Sequence, residues 1–317
     1  MDWLFVLLLL TLLTLLKLLK PLNQVDHSKK DRWIVISPMW GLCNRLRTLR
    51  VAHDLAKALN RHLAVIDNTN DQEFKSMFNG RLRDLFSSQH LMFMDEMPTA
   101  GTVSEFTYNS PSGDCTSKLT LAEMTKIKSD YIVIKACGLT VDGLSESDEF
   151  YKSIVPTPIA ADRMMAALNQ ITPTTIGVHI RQGNISDYRK GNFFGAWKKD
   201  QDPNKLPIEC CTSANAANQV CPDNAPHIEK FIEAIRGLDG PPTVFICSDR
   251  PGCYQVLQST FPGRIISNPV EIEYDANALN AFCDWYCLAK CSQIIVTSIS
   301  SFSTEAAKMN NAKVISI

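Results

Sequence analysis

Neither sign of charge dominates this sequence. Its 32 basic and 33 acidic residues leave a net charge of −1, and no aromatic-rich basic stripe runs through it, so nucleic acid is not an expected partner. There is no Gly-x-Gly-x-x-Gly fingerprint, which removes the usual dinucleotide-binding turn. There is no Gly-x-Ser-x-Gly elbow, which removes the serine hydrolases built on it. No internal repeat is evident at periods of about 20–50 residues, which argues against solenoids and propellers. Cys283, Cys287 and Cys291 recur every four residues along one helix face. That spacing suits a buried or disulfide-linked face rather than the tight pairs of a zinc site, and no metal is expected.

What is present is an ordinary globular composition with an unusual start. Hydrophobic residues make up 45% and charged residues 21% of 317 residues, a balance that argues against disorder. The length suits two domains, at about 100–200 residues each. Trp3–Leu16 is apolar apart from Thr11 and Thr14, and Lys17, Leu18, Leu19 and Lys20 follow. The run falls slightly short of the about 20 residues that span a bilayer, but lysines near its end can snorkel to the interface. A cleaved signal peptide would have a basic start and small residues at the cut. Asp2 and the absence of an Ala-x-Ala pattern favour an uncleaved single-pass anchor over 1–20, followed by a polar linker over 21–31.

Orientation has two opposed indications. Lys17, Lys20, Lys29, Lys30 and Arg32 all follow the apolar run, which by the positive-inside rule places the body in the cytosol. Cys210, Cys211 and Cys221 lie in a loop-like stretch, which points to disulfides in an oxidising lumen. The expectation is a membrane protein whose body faces the ER or Golgi lumen. The 11 cysteines leave at least one outside any intramolecular pair.

The body reads as α/β. Strand Trp33–Pro38, a helix from Asn44 to Leu59 and strand His62–Ile66 form one β-loop-α-β unit. The middle is less regular, with a loop-like Pro98–Asp114 and a short strand Tyr131–Cys137. Pro156 and Pro158 mark a crossing into a second half, which opens on a helix over 159–169 and strand Thr175–Arg181. An irregular insert over about 182–225 follows. Helix 226–236, strand Thr243–Ser248, helix Gly252–Thr260, strand Arg264–Ser267, helix Asn277–Cys291, strand Gln293–Thr297, helix Ser303–Met309 and strand Lys313–Ile317 complete the chain. Runs such as Ile294-Ile295-Val296 lack alternation, as in parallel strands buried on both faces. Two doubly wound, Rossmann-like domains facing a cleft are expected, at 32–155 and 156–317.

Four groups of residues stand where chemistry is expected. Gly41-Leu-Cys-Asn-Arg-Leu-Arg47 follows the first strand. A glycine there lets backbone approach a ligand, and the helix start favours an anion. Structurally, Asn44 can be a helix N-cap, and Arg45, Arg47 and Arg50 a solvated face. His179 and Arg181 share one side of a strand and sit at its carboxyl end, where open α/β sheets bind ligands. The planar fork of Arg181 matches phosphate oxygens. Ser300, Ser301 and Phe302 lie in a hydroxyl-rich loop opening a helix, which is either a phosphate cradle or a simple cap. Asp284, on the preceding helix, is either a ribose or base ligand or a surface charge. Asp249, at the end of another strand, is either a ligand or a cap.

Taken together and in this order, these motifs resemble the GDP-fucose-dependent fucosyltransferase superfamily, which includes α1,6-, protein O- and nodulation-type fucosyltransferases. GLCNRLRTL is similar to its Gly-x-x-Asn-(Arg/Gln) loop, GVHIRQGN to its His-x-Arg motif, and DWYCLAKCSQIIVTSISSFS to its final motif. The resemblance runs from Trp33 to Ile317. It implies an inverting, metal-independent glycosyltransferase of two Rossmann-like domains, without a cofactor, that uses a nucleotide-sugar donor and a glycan or glycoprotein acceptor. Arg181 would stabilise the leaving diphosphate. Asn44 and Arg45 would approach the pyrophosphate or sugar, and Gly41 would allow that approach. Ser300, Ser301 and Phe302 would contact phosphate and nucleoside, and His179 and Asp284 the guanosine part. Many relatives carry His-x-Arg-Arg-x-Asp, where this chain has Gln182 and Asn184. That departure leaves open another nucleotide sugar, or a non-catalytic binding protein on the same scaffold. Asp187, Asp249 and Glu305 are candidates for the general base. The insert Ser186–Ala225, with Phe193, Phe194 and Trp197, is either an acceptor-facing lid or a capping excursion.

Overall fold

A computed structural model describes residues 31–39, 41–67, 81–108, 116–181, 227–269, 278–296 and 300–317. The expected anchor over 1–20, Gln182, Asn184, Asp187 and the insert lie outside the described residues. Among those described, no helix is long and apolar enough to cross a membrane.

The first half contains β1 (Trp33–Pro38), α1 (Leu42–Ala58), β2 (His62–Ile66), β3 (Phe86–Ser87), β4 (Met92–Met94), β5 (Val103–Tyr108), β6 (Thr116–Thr120), α2 (Leu121–Met124), β7 (Tyr131–Ala136), β8 (Gly138–Asp142), α3 (Glu149–Lys152) and β9 (Val155–Pro156). Five of these strands form a parallel sheet in the order β4-β2-β1-β7-β5. Ile34 and Ile36 of β1 pack under Leu46, Leu49 and Leu55 of α1, while Val35 joins Ala64 and Val133 on the opposite face. Burial on both faces explains why β1 is apolar without alternation.

The second half opens on α4 (Pro158–Leu168), whose Thr157 cap accepts a hydrogen bond from Ala160 N at 3.4 Å and whose first residue is a proline. Such a start suits a helix, because the first N–H has no helical partner. Then come β10 (Ile176–Ile180), α5 (Ile228–Arg236), β11 (Val244–Ser248), α6 (Pro251–Thr260), β12 (Ile265–Ile266), α7 (Ala278–Leu288), β13 (Gln293–Val296), α8 (Ser301–Asn310) and β14 (Lys313–Ser316). Their parallel sheet has the order β12-β11-β10-β13-β14. Val178, Ile180, Val244, Ile246 and Ile295 pack against Ile228, Phe231 and Ile235 of α5 and Leu257 of α6. On the other face, Phe245 and Ile294 share a cluster with α7, α8 and α1. That cluster is continuous across the two halves. Phe86 of the first half stacks on Phe282 of the second with centroids 5.7 Å apart; within the second half, Cys283 Sγ donates to Ala160 O at 3.6 Å.

Gly177 in β10 is where α7 comes closest to the sheet. A Cβ there would lie 2.6 Å from Leu288 Cδ1 and 3.2 Å from Cys291 Cβ. Gly177→Ala is therefore expected to lose about 1–3 kcal/mol through overpacking, read as a lower urea midpoint. An unchanged midpoint would show that α7 moves away at little cost.

Several boundaries differ from the sequence reading. Helix α1 starts at Leu42 with Gly41 as its cap, so Asn44 lies inside the first turn and is not the cap. The stretch Pro98–Asp114 holds β5, an edge strand whose partner β7 lies more than twenty residues on. Strands β6 and β8 form a separate parallel pair. Strand β10 stops at Ile180, which makes Arg181 the first residue beyond it. Helix α8 begins at Ser301, two residues earlier than expected. Cys283, Cys287 and Cys291 are buried free thiols, which removes the disulfide-linked alternative for that face. Cys253 is disulfide-bonded.

Candidate active site

Both sheets have a point where the chain leaves one side of the sheet and returns on the other. In the second sheet that point lies between β10 and β13, and in the first between β1 and β7. Diverging loops at such a point leave a crevice at the carboxyl ends of the strands. Arg181 follows β10, Ser300 lies after β13, Gly41 after β1 and Gly138 after β7. Helix α1 of the first half packs against α8 of the second. Cys43, at the start of α1, feels the charges of Arg181 and Glu305 from the second half and of Arg47 from its own helix. The Cys43 thiol is pushed up, chiefly by burial and then by Glu305, with the two arginines opposing.

His179 and Phe302 form the centre of the second-half site. Their rings stack with centroids 4.8 Å apart and 25° between planes. Burial, and then the positive charge of Arg181, push the His179 pKa down to about 3. The imidazole is therefore neutral near pH 7, with one nitrogen able to donate and the other to accept. Its Nδ1 is buried and has no hydrogen-bond partner among the described residues. Ser300 Oγ is in the same condition. Ser300 is the cap residue of α8, yet its side chain makes no capping bond, so the simple-cap alternative does not hold for it. An unsatisfied buried polar atom costs about 1–3 kcal/mol. Two of them beside the free N–H groups of a helix start mark a place that a polar or anionic ligand would complete.

The remaining candidates flank this centre. Ser301 and Phe302 are the first two residues of α8 and are half-buried. Asp284, on α7, accepts a hydrogen bond from Asn268 Nδ2 at 2.8 Å. Burial pushes its pKa up to about 6, against the Asn268 bond and the charge of Arg163. Asp284 is therefore not a free surface charge. Asp249 is half-buried, and its N–H donates to Ile180 O at 3.4 Å, joining the ends of β10 and β11. It is not the cap of α6. That position belongs to Arg250, whose N–H is bound by Ser248 Oγ at 3.1 Å. Arg45 is half-buried at the start of α1. Gly41 has ordinary extended backbone, and a Cβ there would meet nothing within 4 Å. Its value is therefore open space rather than an unusual conformation.

Glu305 is not available as a base. Tyr151 Oη donates to its Oε2 at 2.5 Å, and Lys308 Nζ lies 3.1 Å from Oε1. With Arg50 Nε at 4.0 Å, this carboxylate is buried in a cluster that joins α8 to α1 and α3. Two further residues flank the site: Asn268, which the sequence reading missed, and Arg47, which it named within the Gly41–Arg47 group without separating it from Arg45 and Arg50. Asn268 sits just past the short strand β12 and orients Asp284. Arg47 reaches the end of β7, where its Nη2 lies 3.1 Å from the position a Cβ on Gly138 would take. The sequence signal for Arg47 was its place one helical turn beyond Asn44.

No protein-family model matches the chain, and no curated protein matches it. Solved structures do. The NodZ fucosyltransferase from Bradyrhizobium is 19% identical and superposes with a TM-score of 0.53, covering 88% of this chain and 93% of its own. Arabidopsis thaliana FUT1 in complex with GDP is 14% identical with a TM-score of 0.53, covering 95% of this chain and 73% of its own. POFUT1 in its apo form is 10% identical with a TM-score of 0.51, covering 92% and 99%. At these identities the likeness is one of backbone architecture, and the chain has a fucosyltransferase-like fold of two parallel α/β halves.

Proposed function

We propose that this protein is a glycosyltransferase that takes a guanosine-diphosphate sugar, GDP-fucose foremost, and transfers the sugar to a glycan or glycoprotein. The observation that carries this reading is the group at the end of β10. A cationic Arg181 stands beside a neutral, unsatisfied His179 that stacks on Phe302, next to the unsatisfied hydroxyl of Ser300. A nucleoside diphosphate supplies what each group is ready to meet: phosphate oxygens for the guanidinium and helix start, and polar ribose or base atoms for the imidazole and hydroxyl. The structural neighbours support the same donor, since NodZ was soaked with GDP-fucose and FUT1 is in complex with GDP.

In this reading the reaction is a single inverting displacement at the anomeric carbon. An acceptor hydroxyl attacks as the bond to the β-phosphate breaks, and Arg181 stabilises the charge gathering on the departing diphosphate. With Glu305 committed to Tyr151 and Lys308, the proton goes elsewhere, with Asp249 and Asp187 as the remaining candidates. Metal independence is part of the proposal. An Asp-x-Asp pair, Asp200 and Asp202, does occur in the sequence, outside the described residues. The apolar run at the start supports a membrane tether, and the disulfide at Cys253 supports a lumen-facing body.

The test is a thermal-shift panel on residues 31–317 with GDP, UDP and CMP, followed by transfer assays with and without EDTA. GDP is expected to raise the midpoint most, and EDTA to leave the transfer rate unchanged. A preference for UDP moves the reading to another donor. Nucleotide binding without turnover moves it to a binding protein.

A further inference from the structure

Helix α1 carries its cations in contrasting states. Arg50 is buried and bonded to Glu146 Oε2 at 2.6 Å. Lys57 is bonded to Glu149 Oε2 at 2.7 Å. Arg47, between them and the cleft, is half-buried and has no carboxylate partner among the described residues. Its Nη2 donates to Asn44 Oδ1 at 3.1 Å. Its guanidinium lies against the backbone of Gly138, with Nη2, Cζ and Nε at 3.1, 3.8 and 3.9 Å from where a Cβ would stand. Gly138 is thus the residue that leaves room for it. A half-buried guanidinium held by a neutral amide is oriented but not neutralised. Such a group loses hydration without gaining a counter-charge, and an arriving anion repays that loss.

The anion it faces follows from its surroundings. Arg47 lies against Gly138, just past β7 at the first crevice, as Arg181 lies just past β10 at the second, and the charges of both act on the Cys43 thiol at the start of α1. We infer that Arg47 is a second diphosphate-binding residue, contributed by the first half, that acts with Arg181 on the β-phosphate of the donor. This rests on the nucleotide-sugar reading above. It also gives Asn44 a definite role. Its side-chain oxygen aims Arg47, and its own contact with the donor is secondary.

The test compares GDP with GMP, which lacks the β-phosphate, on wild type and on Arg47→Gln and Arg47→Lys. Binding is measured calorimetrically, with the nucleotide-free melting midpoint as the control for folding. Arg47→Gln is expected to weaken GDP about tenfold, as loss of a charged hydrogen bond does, and to leave GMP within twofold. Arg47→Lys keeps the charge without the fork and falls between. Equal losses for GDP and GMP, or no loss for either, overturn the inference while leaving the donor reading intact. Failure of wild type to bind GDP at all overturns the donor reading itself.

Discussion

Replacing Arg181 by alanine is expected to lower the turnover number by about 10²–10³-fold, the range for removing one preorganised group that stabilises developing charge. The reasoning starts from position. Strand β10 ends at Ile180, so Arg181 leaves the sheet at the mouth of the crevice and stays half-buried. Its charge acts on both His179 and Cys43. Charge on the diphosphate is greatest as the glycosidic bond breaks, so the loss falls more on kcat than on KM. Arg181→Lys retains part of the rate, because a point charge remains but the bidentate fork is lost. Initial rates of sugar transfer, with circular dichroism to confirm folding, decide the matter. Alanine and wild-type rates within twofold of each other would remove Arg181 from the reaction.

Glu305→Ala is expected to have the largest effect on stability, about 3–5 kcal/mol, as breaking a buried ion pair from one side does. Glu305 is 2% exposed and is the acceptor for Tyr151 Oη and Lys308 Nζ, with Arg50 beside it. Removing it leaves the buried Tyr151 hydroxyl without its acceptor and Lys308 without its carboxylate, and leaves Arg50 with Glu146 alone. Glu305→Gln is milder, since the amide oxygen still accepts from Tyr151 while the charge is lost. Urea midpoints of the two variants measure the difference. An alanine variant as stable as wild type would show that water replaces the carboxylate and that the cluster adds nothing net.

The strands were the most legible part of the chain. Runs such as Trp33–Pro38 and Gln293–Val296 owe their apolar character to burial on both faces, and local composition reports that directly. Strand β5 was not legible. Its partner β7 is distant in sequence, and its solvent-facing Glu105 and Thr107 dilute the apolar signal. Within the site, position at a strand's carboxyl end singled out His179, Arg181 and Ser300. Partnership was invisible: that Glu305 is taken by Tyr151, 154 residues earlier, follows only from the packing of α8 on the first half. The same holds for Asp249, whose neighbour Arg250 turned out to hold the cap. Arg47 read as one of three similar helix arginines because the chain alone does not say which of them meets a carboxylate.

The continuous cluster that runs from Ile34 through Phe86 and Phe282 to Ile294 bears on how the cleft admits its ligand. Many two-lobed proteins open by rotating one lobe about a linker, which works when the seam between lobes is small and polar. Here such a rotation would pull Phe86 off Phe282 and Tyr151 off Glu305, exposing apolar surface and a buried carboxylate together. Opening the cleft by that route therefore carries the cost of an apolar seam and a buried carboxylate, which a small polar seam does not impose.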